Sequence, residues 1–119
     1  MVSVMNSFTM VEFPTSSAVQ SAQFLQAVFG WAATPYGPEY LDVDCGSGVS
    51  LGFQQDRSEA PAAPLAVIQV GDLDTTRQAV IEAGGTVTVE AFDFPGGRRF
   101  HFREPGGNEL AAWVPASEG

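Results

Sequence analysis

Residues 98–113, RRFHFREPGGNELAAW, gather three of the chain's five basic residues, its only histidine and a carboxylate into two short segments. Such a set can do acid–base work. His101, with an ordinary pKa of about 6.5, suits a general acid or base. A nearby Glu109 or Glu12 would raise that value. The alternative is an imidazole hydrogen-bonded in a wall. Arg99 can grip a carboxylate through two parallel N–H bonds, or pair with Glu109 or Glu12. Trp113 and Trp31, with Phe53 and Tyr36, offer flat surfaces on which an apolar ligand can stack, or simply fill a core. Arg98 and Arg103 are expected in solvent or against surface acids. Cys45, the single cysteine, excludes an internal disulfide and any multi-cysteine metal site.

The surrounding pattern supplies strands and helices to hold these groups. FTMVEF reads as a strand closed by Pro14, and Thr15, Ser16 or Ser17 can cap a helix that follows. From Val19 to Phe29 the positions Ala22, Leu25, Val28 and Phe29 recur at helical spacing, with Gly30 to end the run. YLDVDC and GVSLGF flank a Gly-Ser-Gly turn, so two or three antiparallel strands are expected there. QQDRSEAPAAP is an exposed linker. The order then begins again: LAVIQV is a strand, Asp72 or Asp74 caps a helix carrying Leu73, Val80 and Ile81, and Gly84-Gly85 ends it. TVTVE, RRFHFR and NELAAW give three more strands, joined at Pro95-Gly96-Gly97 and Pro105-Gly106-Gly107. Neither glycine pair precedes a helix, so both are turns and not phosphate cradles. Strand, helix, strands, twice over, is an internal repeat.

At 119 residues, 45% of them hydrophobic, the chain suits one domain of two modules, about 8–55 and 64–114, with a linker at about 55–63. Fourteen acids against five bases give a net charge of −9, which repels nucleic acid and anionic membranes. MVSVMNSFTM lacks the marks of a signal peptide, and no apolar run approaches the ~20 residues of a membrane span. A soluble cytoplasmic protein is expected.

The duplicated order, the helix ending in VFGW, the unit VGDLDTTRQAVIEAGGTV and above all FPGGRRFHFREPGGNELAAW resemble the glyoxalase, bleomycin-resistance and extradiol-dioxygenase superfamily, the vicinal oxygen chelate proteins. The resemblance spans roughly residues 8–114 and rests most on the acid-Pro-x-Gly-Asn element. It implies an α+β fold in which two βαβββ modules form a half-open mixed β-barrel around a ligand site, and commonly a homodimer. Metal-dependent members take His, Glu or Gln ligands from four strands. Transferred to this chain, those positions are Met10, Gly52, Leu65 and Ala111. None suits a divalent metal, so no metal ligand and no cofactor is expected. Glu109, two residues from Ala111, shares its face, but one carboxylate makes a weak site.

The same positions fix which neighbours look inward, because strand side chains alternate. Phe8, Met10 and Glu12 do so on the first strand; Ser50, Gly52 and Gln54 on the fourth; Leu65, Val67 and Gln69 after the linker. Glu109, Ala111 and Trp113 do so on the last, and the family pattern adds Arg99 and His101, leaving Phe100 and Phe102 under the helices. The candidate ligand-binding set is Glu12, Gln54, Gln69, Arg99, His101, Glu109 and Trp113, with His101 and Glu109 as candidate catalytic groups. The leading expectation is a metal-independent protein that binds a small organic molecule, as in drug sequestration and resistance. The alternative is a lyase, isomerase or dioxygenase-type enzyme of the glyoxalase family. The acidic surface suits a cationic ligand, whereas Arg99 and His101 suit an anionic or neutral one.

Overall fold

A computed structural model describes residues 6–116. The first five residues, on which the reading of the N-terminus partly rests, lie outside that range. The chain divides into two compact units, one comprising Thr9–Leu65 and the other holding the rest. Each repeats the expected order, which gives the α+β class and the two βαβββ modules.

In the first module β1 (Ser7–Pro14) is followed by α1 (Ala18–Phe29), β2 (Ala32–Pro35), β3 (Tyr40–Asp44) and β4 (Ser50–Gln54). The strand order is β2-β3-β4-β1, antiparallel except for the parallel pair β1 and β4. Ser17 sits in extended backbone and its hydroxyl accepts from the Gln20 N–H at 3.1 Å, so it is the N-cap. The linker contributes too: Gln55 Oε1 accepts from the Ala18 N–H at 3.0 Å. Gly30 closes the helix at φ 73°, a left-handed conformation glycine adopts without a Cβ clash, and donates to the Gln26 carbonyl at 2.9 Å. Ala18 and Ala22 let α1 sit close on Val43 and Phe53, with Phe13, Leu25 and Trp31 around them.

In the second module β5 (Leu65–Gln69), α2 (Leu73–Glu82), β6 (Thr86–Phe94), β7 (Gly97–Arg103) and β8 (Glu109–Pro115) follow, in the order β5-β8-β7-β6. β5 and β8 run parallel and the rest are antiparallel, so the α2 crossover carries the chain from β5 to β6 at the far end of the module's order. Asp72 is the N-cap, accepting from the Thr75 N–H at 2.8 Å, and Asp74 stands in the first turn. Under α2 the fully buried Phe100 packs with Val70 and Ala112, flanked by Ile68, Leu73, Val80, Phe102 and Val114.

The acid-Pro-x-Gly-Asn element is a folding device. The Glu104 carboxylate accepts from the backbone N–H of Gly106, from that of Asn108 at 3.1 Å and from the Asn108 side-chain amide. Those donors hold its pKa below the ordinary carboxylate value, the Gly106 N–H foremost. The carboxylate thereby ties the turn that sets β7 against β8.

Candidate functional site

Alternation along β7 separates two kinds of side chain. Phe100 and Phe102 go to the helix-covered face, their rings 5.7 Å apart. Arg99 and His101 therefore occupy the opposite face, as expected. The register across β8 sets Arg99 opposite Trp113 and His101 opposite Ala111; across β5 it sets Gln69 beside Trp113 and Val67 beside Ala111. Arg99, His101, Gln69, Glu109 and Trp113 thus share the helix-free face of one sheet.

On that face the aromatic and charged groups form a continuous row. Trp113 meets Phe94 edge-on with ring centres 6.0 Å apart. The Arg99 guanidinium lies over both Phe94 and Phe92, 5.6 and 5.5 Å from their centres, within cation–π range. Phe92 in turn is tilted against the His101 ring at 5.7 Å. Beyond His101 the row becomes acidic: its Nδ1 is 3.6 Å from Glu109 Oε2, and the Thr88 hydroxyl donates to the same oxygen at 2.6 Å. The His101 and Glu109 side chains are only 13% and 26% exposed, so the pair is partly shielded from water. Thr88, Phe92 and Phe94 are functional candidates that sequence reading missed. β6 slips register between Val87 and Phe92, and simple alternation cannot be counted through such a slip.

The remaining arginines behave as expected. Arg98 Nε reaches Asp93 at 3.1 Å in solvent, and Arg103 donates to the Gly107 carbonyl at 2.9 Å. Three aromatic candidates fall elsewhere. Phe53 stacks on Phe13 at 5.4 Å and Trp31 on Phe29 at 4.7 Å, both against the α1 core, and Tyr36 is exposed with its edge toward Tyr40.

The helix-free face of the first module carries a different set. Its register aligns Glu12, Gly52 and Asp42 across β1, β4 and β3. Glu12 is 4% exposed. Tyr40 lies across Gly52: a Cβ there would stand 2.2 Å from the phenol oxygen. The same phenol donates to Met10 Sδ at 3.6 Å. Asp42, also missed from the sequence, has its pKa raised, by burial first, against the lowering influence of Ser50 and with a further rise from Asp44. Its Oδ1 is buried without a hydrogen bond. Gln54 Oε1 accepts from the Asp56 N–H at 3.0 Å, which commits that oxygen to the turn.

These contacts bear on the metal that the resemblance implies. Gly52 is covered by a phenol, Met10 offers a thioether already in contact with it, and Leu65 and Ala111 are buried apolar side chains. No hard oxygen or imidazole nitrogen stands at any of the four positions, so the residues present do not fit a catalytic divalent ion. Among the described residues no three His, Cys, Asp or Glu side chains come together. Two surface concavities are lined by none of the row's residues: one of about 390 Å³ beside α1, lined by residues including Ser17, Ser21, Phe24, Leu25 and Phe53, and one of about 440 Å³ on α2. No helix among the described residues is long and apolar enough to cross a membrane.

Comparison with known proteins agrees with this architecture. No curated protein matches the chain. Solved structures do: methylmalonyl-CoA epimerase from Mycobacterium tuberculosis is 15% identical with a TM-score of 0.75, covering 94% of this chain and 89% of that one. A protein described as NAD-dependent benzaldehyde dehydrogenase from Legionella pneumophila is 14% identical with a TM-score of 0.73, covering 93% and 99%. A glyoxalase/bleomycin resistance protein/dioxygenase superfamily member from Vibrio splendidus 12B01 is 15% identical with a TM-score of 0.66, covering 93% and 97%. At such identities the likeness is one of fold. The family model for the Glyoxalase/Bleomycin resistance protein/Dioxygenase superfamily matches residues 7–112, nearly the whole chain, and the protein belongs to that superfamily.

Proposed function

We propose that this protein binds a small, flat organic molecule without a metal ion, on the helix-free face of its second module, as in capture or sequestration of a compound in the cytoplasm. The observation that carries the reading is the row Trp113, Phe94, Arg99, Phe92 and His101. The rings supply apolar contact area, and a guanidinium held over two of them is oriented before any ligand arrives. Gln69 and Glu109 border the row and offer polar contacts. Arg99 favours a neutral or anionic ligand over the cationic drug that the net charge alone would suggest.

Elemental mass spectrometry of the purified protein and thermal melts test this reading. The expected result is no stoichiometric metal and no shift on adding chelator, nickel, zinc, manganese or ferrous iron. Benzoate as an aromatic carboxylate, but not bleomycin, should then raise the melting temperature, and Arg99→Ala or Trp113→Ala should abolish the rise. Stoichiometric metal whose removal lowers the melting temperature would overturn the metal-free reading. A rise with benzoate that survives both substitutions would overturn the site.

A second reading, proton transfer by a lyase or isomerase, is favoured by one contact set: the Thr88 hydroxyl and the His101 imidazole converge on one Glu109 oxygen. Thr88 holds the carboxylate, and Glu109 can exchange a proton with a bound C–H or O–H acid while His101 completes the relay. Its mark is a pH-dependent turnover lost in His101→Ala with the fold retained.

A further inference from the structure

Two features of the chain make opposite demands on a ligand. The net charge of −9 attracts a cation, whereas the Arg99 guanidinium pairs with an anion. The free face of the second module holds both kinds of partner. One pole is Arg99, seated over Phe92 and Phe94. The other is the Glu109 carboxylate, to whose Oε2 the Thr88 hydroxyl donates at 2.6 Å, with His101 Nδ1 at 3.6 Å from the same oxygen. Both contacts fall on Oε2, so the carboxylate is held in place while Oε1 is left to accept from a further donor.

The spacing of the poles sets the size of what fits between them. β7 pairs with β8 so that Arg99 stands opposite Trp113 and Arg103 opposite Glu109. Arg99 and Glu109 are therefore four strand positions apart, roughly 13 Å at ~3.3 Å per residue, and side chains that stand up from a sheet keep about that separation. Hydrogen bonds of ~3 Å at each end leave roughly 7 Å, the span of one benzene ring with a group at each para position. The Phe92 and His101 rings, 5.7 Å apart, lie in that interval and offer a surface against which such a ring packs.

We propose that the ligand of this face is bipolar: a flat aromatic acid whose carboxylate pairs with Arg99 and whose ammonium group, across the ring, donates to Glu109. The inference rests on the ligand-binding reading of this face and adds the ligand's second charge. A bipolar molecule carries no net charge, so a chain of −9 does not repel it as it repels a plain anion, and each of its ends meets an opposite charge in the site. Both partners are positioned by their neighbours beforehand, Arg99 by two rings and Glu109 by Thr88, which lowers the cost of ordering them on binding.

Isothermal titration calorimetry of the full chain at neutral pH, with benzoate, benzylamine and para-(aminomethyl)benzoate, tests it. Para-(aminomethyl)benzoate should bind about tenfold or more tighter than benzoate, and benzylamine more weakly than either. Glu109→Gln should bring the ratio of the first two affinities down to about one. Glu82→Gln, on the exposed surface of α2, removes the same charge and should leave that ratio as it is in the wild type. Glu109→Lys should invert the preference, so that terephthalate, with a carboxylate at each end, binds tighter than para-(aminomethyl)benzoate. That gain needs a folded site, so it separates loss of a contact from loss of the fold. Benzoate that binds as tightly as para-(aminomethyl)benzoate, a preference that survives Glu109→Gln, or a Glu109→Lys chain that does not favour terephthalate overturns the bipolar ligand and leaves the ligand-binding reading standing. No binding of any of these carboxylates overturns both.

Discussion

α1 and α2 occupy equivalent places in two repeats of one chain order, yet they are built for different surroundings. α1 has no charged residue in twelve and leaves Phe24 and Val28 in water, whereas α2 carries Asp74, Arg77 and Glu82. Arg77 makes two hydrogen bonds to Glu90, at 3.0 and 2.7 Å. The sheet faces opposite the helices diverge in the other direction. The second module gathers Arg99, His101, Glu109 and Trp113 on its free face; the first fills the space over Gly52 with the Tyr40 phenol. A duplicated fold constrains backbone and core, and leaves each module's two outer surfaces free to take separate tasks.

The cores test how far the duplication extends. Under α2 the packing turns on one large fully buried ring, Phe100, whereas α1 packs through Ala18 and Ala22 on the fully buried Val43 and the nearly buried Phe53. Phe100→Ala should therefore be the most damaging single change, costing about 3–5 kcal/mol in urea unfolding. Val43→Ala removes two methyl groups and should cost clearly less. Equal losses would break the contrast and imply that the first core is as dependent on one side chain as the second.

Next in size is the packing over Gly52. A methyl group there must displace the Tyr40 phenol, whose oxygen stands where the new atom would go, so Gly52→Ala should lose about 1–3 kcal/mol. Because the phenol is the free end of a side chain, Tyr40→Ala in the same chain should recover part of that loss. A thermal-melt double-mutant cycle measures the coupling. Additive effects would show that Tyr40 and Gly52 are independent, and the distinction between a filled first face and a functional second face would lose its structural basis.

Much of this was legible in the sequence, and the limits have physical causes. Repeat order and the Gly30 helix end follow from period and local chemistry, which a short window contains; the same signals narrow the second cap only to Asp72 or Asp74, and the facing of Arg99 and His101 comes from the family resemblance. Alternation alone also removes Phe53 from the ligand face, since it adjoins inward Gly52. Tyr40 was not visible, because its phenol reaches diagonally from Gln54's partner position to cover Gly52, and that depends on a rotamer. Thr88 and Phe92 were hidden by the register slips of β6. Trp31 could not be assigned by type, because an indole serves a core and a ligand face equally well.

The smallest expected effects separate the modules by the sign of their response to pH. Glu104, in the second module, has its pKa lowered by the donors of the turn it ties. A carboxylate shifted downward stabilises the fold above its unfolded value, about 4.3, and that contribution is lost as pH falls through the folded value. Asp42, in the first, is shifted upward by burial. Its contribution is present below the unfolded value, about 3.9, and is lost as pH rises through the folded one. Urea midpoints of Glu104→Gln and Asp42→Asn, measured against wild type from acid to neutral pH, should therefore diverge in opposite senses. Glu104→Gln should be less stable than wild type at neutral pH, with the gap closing on acidification as wild-type Glu104 becomes protonated. Asp42→Asn should be the more stable chain at neutral pH, because the amide removes a charge buried beside Ser50 and Asp44, and its advantage should vanish in acid. Parallel curves would mean that the Asp42 carboxylate is solvated, and that the first module's open face is not a shielded surface at all.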